Sequence, residues 1–144
     1  MAAPETPRLT VDIVIRLVEE PGSLVLIERR NPPFGFALPG GFVDVGEWVE
    51  DAARREAQEE TGLQVTLEVL LGCYSDPRRD PRGHTVSVVY AGRASGYPRA
   101  GDDAAACRVV AAAHIGVPLV FDHQKILDDY LAFLGSGALP KLRA

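Results

Sequence analysis

The sequence predicts an α/β fold in which a mixed β-sheet packs between helices, and three observations carry that expectation. The chain has 144 residues, the length of one ordinary domain of about 100–150 residues, able to bury most of its apolar surface without metal or disulfide staples. Its composition, 47% hydrophobic and 24% charged, is that of a globular chain rather than a disordered one. The elements legible along it are mostly strands, with one internal and one terminal helix. Neither a repeat nor a long linker divides them, so residues 1–144 read as a single domain, with about 1–8 and 137–144 as flexible tails.

Leu9 to Glu19 alternates and branches at Cβ (Val11, Ile13, Ile15, Leu17), which favours a strand. Glu20-Pro21-Gly22-Ser23 is a turn, and Leu24 to Glu28 returns as a second strand. Asn31 to Gly41 is excluded from helix by its prolines and glycines and reads as an ordered or functional loop. Trp48 to Glu60 consists of strong helix formers, and Gly62 is placed to cap the helix C-terminus. Leu63 to Tyr74 and His84 to Ala91 read as strands, separated by the Pro- and Arg-rich loop Ser75 to Gly83. A Gly-rich stretch from Gly92 to Asp103 leads into a short apolar strand, Cys107 to Ala111. Asp122 then caps a final helix, about Gln124 to Leu134, with Ile126, Leu127, Tyr130, Leu131 and Leu134 at helical spacing. Cys73 and Cys107 each sit in an apolar run without a second Cys at zinc spacing, and read as buried free thiols.

Charge is distributed unevenly. The formal total is −5, and the segment Asp44 to Glu60 alone carries seven acids and two bases, so the remainder sums to zero. An acidic chain lacks the Lys and Arg surplus that nucleic acids and anionic lipids require, so neither nucleic acid nor membrane is an expected partner. No apolar run approaches the roughly 20 residues of a membrane span, and the start lacks a signal-peptide pattern, which makes a cytoplasmic location the expectation.

The helix gives the carboxylates a direction. At about 100° per residue with Glu56 as zero, Val49 falls near +20°, Ala52 near −40°, Ala53 near +60°, Glu59 near −60° and Glu60 near +40°. Three glutamates therefore continue the Val/Ala stripe, while Asp51, Arg54, Gln58 and Thr61 take the opposite face. Clustered, partly desolvated carboxylates are expensive unless a cation sits among them. Oxygen-only ligation suits Mg²⁺ or Mn²⁺ rather than zinc. From the helix alone, a charged surface helix with Arg–Glu pairs remains the competing reading.

The wider string decides between them. Gly41-Phe-Val-Asp-Val-Gly-Glu47-Trp-Val-Glu-Asp-Ala-Ala-Arg-Arg55-Glu56-Ala57-Gln-Glu59-Glu60-Thr-Gly62-Leu63 resembles the signature box of the Nudix hydrolases, and every fixed position of that strand–loop–helix pattern is met. The resemblance implies an α/β/α sandwich and hydrolysis of a nucleoside diphosphate derivative by water attack at phosphorus, with divalent cations bound. It implies Glu56, Glu59 and Glu60 as metal ligands with the Gly40 carbonyl, and one glutamate, directly or through a loop residue, as acceptor of the water's proton. Glu47 and Arg55 fit a supporting fork with a catalytic role, or a pair that only stabilises the loop–helix unit.

Outside the box, Ser75-Asp-Pro-Arg78-Arg79-Asp80-Pro-Arg82-Gly-His84 looks like the corresponding stretch of ADP-ribose pyrophosphatases in this family. Arg79 and Arg82 suit phosphate or ribose hydroxyls and Asp80 suits a ribose, against the alternative of a solvated loop tethered by salt bridges. Phe36, like Phe34, lies in the loop entering the site and suits either base stacking or packing beneath the loop, and Arg29 ends a strand beside it. His84 reads as a structural hydrogen-bond partner, and His114 and His123 carry no motif. One departure stands out: where relatives continue after Gly101-Asp102-Asp103-Ala-Ala with an acid and an aromatic, this chain has Ala106-Cys107. The resulting expectation is an ADP-ribose pyrophosphatase dependent on Mg²⁺, or on Mn²⁺ in its place, giving AMP and ribose 5-phosphate; the resemblance also implies a homodimer, a frequent state of ADP-ribose hydrolases in the family. The alternatives are a nucleoside triphosphate or dinucleoside polyphosphate hydrolase and a non-catalytic nucleotide-sugar sensor.

Overall fold

The computed structural model describes residues 2–101 and 104–144; Asp102 and Asp103, which flank the departure noted above, lie outside the described residues. Among the described residues, seven strands form two sheets rather than the one mixed sheet expected. In the first, β1 (Arg8–Leu17) runs parallel to β6 (Thr85–Ala94) along its whole length, β4 (Gly40–Phe42) pairs antiparallel on the other side of β1, and β5 (Thr66–Tyr74) pairs antiparallel with β6. In the second, β2 (Ser23–Arg29) lies between β3 (Phe36–Ala37) and β7 (Ala104–Ala111), all antiparallel. The split follows from β1: both its edges are occupied, by β4 and β6, so the chain leaving the Glu20–Ser23 turn carries β2 into the other sheet.

The segment expected to be loop contributes two short strands. Gly40 makes this possible, because a Cβ there would collide with the Val11 carbonyl and the Asp12 carboxylate of the strand it pairs with.

Both faces of β1 are covered, and Val11, Ile13, Val14 and Ile15 are fully buried. Val11, Ile13, Ile15 and Leu17 pack against Ala52, Ala53 and Ala57 of α1 (Val49–Thr61). Val14, with Leu24, Leu26, Val89 and Ala91, packs against Ile126, Leu127 and Tyr130 of α2 (His123–Ser136). The sheets thus lie between two helices, in the expected layering. Gly62 ends α1 in the left-handed conformation at φ 72°, its N–H donating to the Gln58 carbonyl at 2.9 Å. Thr61, on the face opposite the glutamates, is nevertheless buried, because its hydroxyl bridges the Ala57 carbonyl and the Leu63 N–H beneath that cap.

Three local expectations need correction. Asp122 occupies the N-cap position of α2 but makes no capping bond, because Arg79 takes its carboxylate. Leu134 is 57% exposed, so the apolar stripe of α2 stops a turn short. Cys73 is exposed and Cys107 half-buried, because alternate side chains of a strand face opposite sides, and beside Cys73 it is Tyr74 that turns inward.

Candidate active site

A cleft of about 280 Å³ opens between the two sheets at the N-terminal end of β4. One wall is the glutamate face of α1. Glu56 and Glu60 are buried, at 8% and 4% exposure, and both line the cleft. Gly40 donates its N–H to Glu60 Oε1 at 2.7 Å, joining the helix to β4. At Gly41 a Cβ would overlap the Glu56 carboxylate, so the second glycine leaves the space that this side chain fills.

Arg55 gathers the box. Its Nε and Nη2 fork onto Glu47 at 2.8 and 2.9 Å, its Nη1 donates to Glu56 at 2.8 Å and Glu59 at 3.3 Å, and its Nη2 also reaches the Phe42 carbonyl. These bonds hold the Glu47 carboxyl down to about 2, with help from the Asp44 N–H, and raise the Arg55 pKa in return. Of the three α1 glutamates, Glu59 is the one placed apart. Its side chain is 48% exposed and turned to Arg55, and it does not line the cleft. Among the described residues, no group of three or more His, Cys, Asp or Glu side chains stands close enough together to hold a metal ion as arranged.

The opposite wall comes from the loop before β6. Arg79, Asp80 and Arg82 all line the cleft, in very different states. The Arg79 side chain is 3% exposed and spends its donors inside the protein, on Asp122 (3.0 and 2.7 Å) and Thr85 (2.9 Å), with Asp12 at 3.6 Å. Burial works against its charge, but these carboxylates outweigh it and its pKa is raised. Asp80, also buried, accepts from the Arg82 backbone and guanidinium on both oxygens, at 2.8–3.1 Å. Arg29 reaches in from the end of β2, anchored through Nε to the Pro33 carbonyl at 2.8 Å. His84 lies with Nε2 3.0 Å from the Ser75 carbonyl, which closes the base of the loop and gives it the structural role expected.

Phe36 does not face the cleft: Arg108 covers its ring at 4.4 Å and it packs against the core beneath α2. Phe121 lines the cleft instead. Two further lining residues escaped the sequence reading. Asp12 of β1 accepts from the Ser87 hydroxyl, and His123 at the start of α2 lies with Nε2 3.4 Å from Asp12 Oδ1. The Leu38 N–H donates to His123 Nδ1 at 2.9 Å, so Nδ1 is the acceptor and Nε2 carries the proton toward Asp12. A signal for Asp12 was present, since it is the one acid of its strand and sits between Val11 and Ile13. His123 and Phe121 had none.

A glycine pair, a loop and a glutamate-faced helix at the mouth of a two-sheet cleft, opposed by arginines, define a hydrolase of the Nudix class. Comparison with known proteins agrees. The model of the NUDIX domain matches residues 6–130, and the chain belongs to that family. The ADP-ribose pyrophosphatase of Methanocaldococcus jannaschii is 46% identical over 128 residues, covering 87% of this chain and 73% of the relative. Among solved structures, the NUDIX domain of Shewanella oneidensis NrtR complexed with ADP ribose superposes with a TM-score of 0.82 at 27% identity, covering 90% of each chain. A MutT/nudix family protein from Enterococcus faecalis superposes with a TM-score of 0.78 at 30% identity, covering 94% of this chain and 65% of that one. The protein is a Nudix pyrophosphohydrolase. No described helix is long and apolar enough to cross a membrane.

Proposed function

We propose that the protein hydrolyses ADP-ribose to AMP and ribose 5-phosphate with a divalent cation, Mg²⁺ or Mn²⁺, bound at the α1 wall. The observation that supports this most directly is the division of one cleft into buried glutamates on one side and Arg29 and Arg82 on the other. Cations against the glutamates would offset the repulsion that a diphosphate meets on that side. The donors there are all oxygens, Glu56 and Glu60 with the Gly40 carbonyl and Glu59 at the outer edge, which fits a hard divalent ion. Such an ion offsets phosphate charge and acidifies water when bound.

The chain's own residues do the rest. Arg55 holds Glu56 and Glu59 in place while Glu47 fixes Arg55. Arg29 and Arg82 bind the phosphates. One glutamate of α1 accepts a proton from the attacking water, whose oxygen bonds to phosphorus as the bridging P–O bond breaks and the leaving phosphate departs as the second product. The similarity to an ADP-ribose pyrophosphatase and to a domain complexed with ADP ribose supports the choice of substrate.

The test is turnover with Mg²⁺ across ADP-ribose, other nucleotide-sugars, dinucleoside polyphosphates and nucleoside triphosphates. AMP release fastest from ADP-ribose is the expected result. Turnover of another class without AMP release from ADP-ribose would overturn the assignment.

A further inference from the structure

Phe121 is the one non-glycine residue with positive φ among those described, at 57°. Side chains rarely adopt that conformation, and a bulky one kept there is fixed by its surroundings. Both flanks are pinned: the Val120 N–H donates to the Phe36 carbonyl at 2.9 Å, and the His123 ring holds the Leu38 N–H at 2.9 Å. The turn between them delivers an aromatic ring to the cleft, where two guanidinium groups meet it, Arg29 at 4.9 Å and Arg82 at 5.3 Å from its centroid.

Each guanidinium is braced from behind, Arg29 by the Pro32 and Pro33 carbonyls and Arg82 by Asp80. Neither Nη1 has a hydrogen-bond partner among the described residues. Burial lowers the Arg29 pKa, and the proximity of Arg82 lowers it further, so the two cations repel one another across the site. A cation over an aromatic face is attracted by the ring's negative quadrupole, which offsets that repulsion and sets where each guanidinium sits.

We propose that Phe121 is a positioning residue that holds Arg29 and Arg82 as a two-guanidinium clamp for a phosphate group of the substrate. An oxyanion entering between them takes the two unspent Nη1 donors and removes the repulsion. Phe121 thereby has the aromatic place that the sequence suggested for Phe36, but acts on the arginines. The proposal rests on the reading of the cleft as a phosphoanhydride site.

Binding measured by calorimetry in EDTA, without turnover, tests it with two probes, inorganic phosphate and ADP-ribose. Phe121→Leu keeps apolar bulk and loses the ring face, and it should weaken both by about tenfold, whereas Phe121→Tyr should stay within about twofold of the parent. Phe121→Asn removes the ring at a position where Asn tolerates the backbone, and serves the same comparison if the Leu variant is unstable. Adding Phe121→Leu to Arg29→Met should cost little more than Arg29→Met alone, since the ring acts through the guanidinium. With Mg²⁺, the loss in the Leu variant should fall on KM rather than kcat. Unchanged phosphate affinity in the Leu and Asn variants, or a Tyr variant as weak as Leu, would overturn the clamp. The phosphate arm stands even if ADP-ribose proves the wrong substrate.

Discussion

Arg55 and Arg79 each gather several carboxylates, in opposite surroundings. The Arg55 side chain is 28% exposed and its partner Glu59 is 48% exposed, so water and solvent ions screen its outer bonds, although Glu47 and Glu56 meet it on a less exposed side. The Arg79 side chain is 3% exposed, and its bond to Asp122 links residues 43 apart in sequence. A buried charge must be satisfied continuously, whereas a screened hub can exchange partners at little cost. The first arrangement therefore suits a set of glutamates that must also serve chemistry, and the second suits a brace that fixes one wall of the cleft.

Removing each hub should separate the two. Arg79→Met leaves Asp122 and Asp12 without their buried cation and should cost about 3–5 kcal/mol in urea unfolding, while Arg55→Met should cost several-fold less. Equal losses would erase the distinction. Next in size, Glu60→Gln should slow turnover by about 100-fold or more with stability nearly unchanged, because the amide oxygen still accepts from Gly40 while the charge is gone. A variant that keeps its rate would mean the α1 wall is not where cations act. The smallest effect concerns pH. Glu47 has a folded pKa of about 2, below its ordinary 4.5, so its contribution is complete above about pH 4.5 and fades as pH falls toward 2. Acid unfolding monitored by circular dichroism should shift less in Glu47→Gln over that window than in the parent, and an identical acid limb would show that the Arg55 fork adds nothing.

The same contrast explains what the sequence disclosed. The box from Gly41 to Leu63 is continuous in sequence, through a strand, a tight loop and one helix, so the helical wheel set Glu56 and Glu60 on the apolar stripe and the resemblance to the Nudix signature marked Arg55 and Glu47. Its helical wheel also set Glu59 beside the other two; the structure turns it outward because Arg55 lies one turn earlier on the exposed side. For Arg79 the sequence offered a substrate contact or a salt-bridge tether; its bonds to Asp122 and Thr85 join residues that meet only after folding. Asp12 and His123 are likewise partners of tertiary structure, from opposite ends of the chain. The two-sheet split depends on which strands occupy the edges of β1, which no local pattern records.

Glu60 bears on the mechanics of the cleft. Its carboxylate holds Gly40 in the first sheet, while its main-chain carbonyl accepts from the Gly101 N–H at 3.2 Å and from the Cys107 thiol in the second at 3.4 Å. One residue of α1 thus works as a rivet through both plates of the sandwich. Widening the cleft on that side would break an attachment to each sheet.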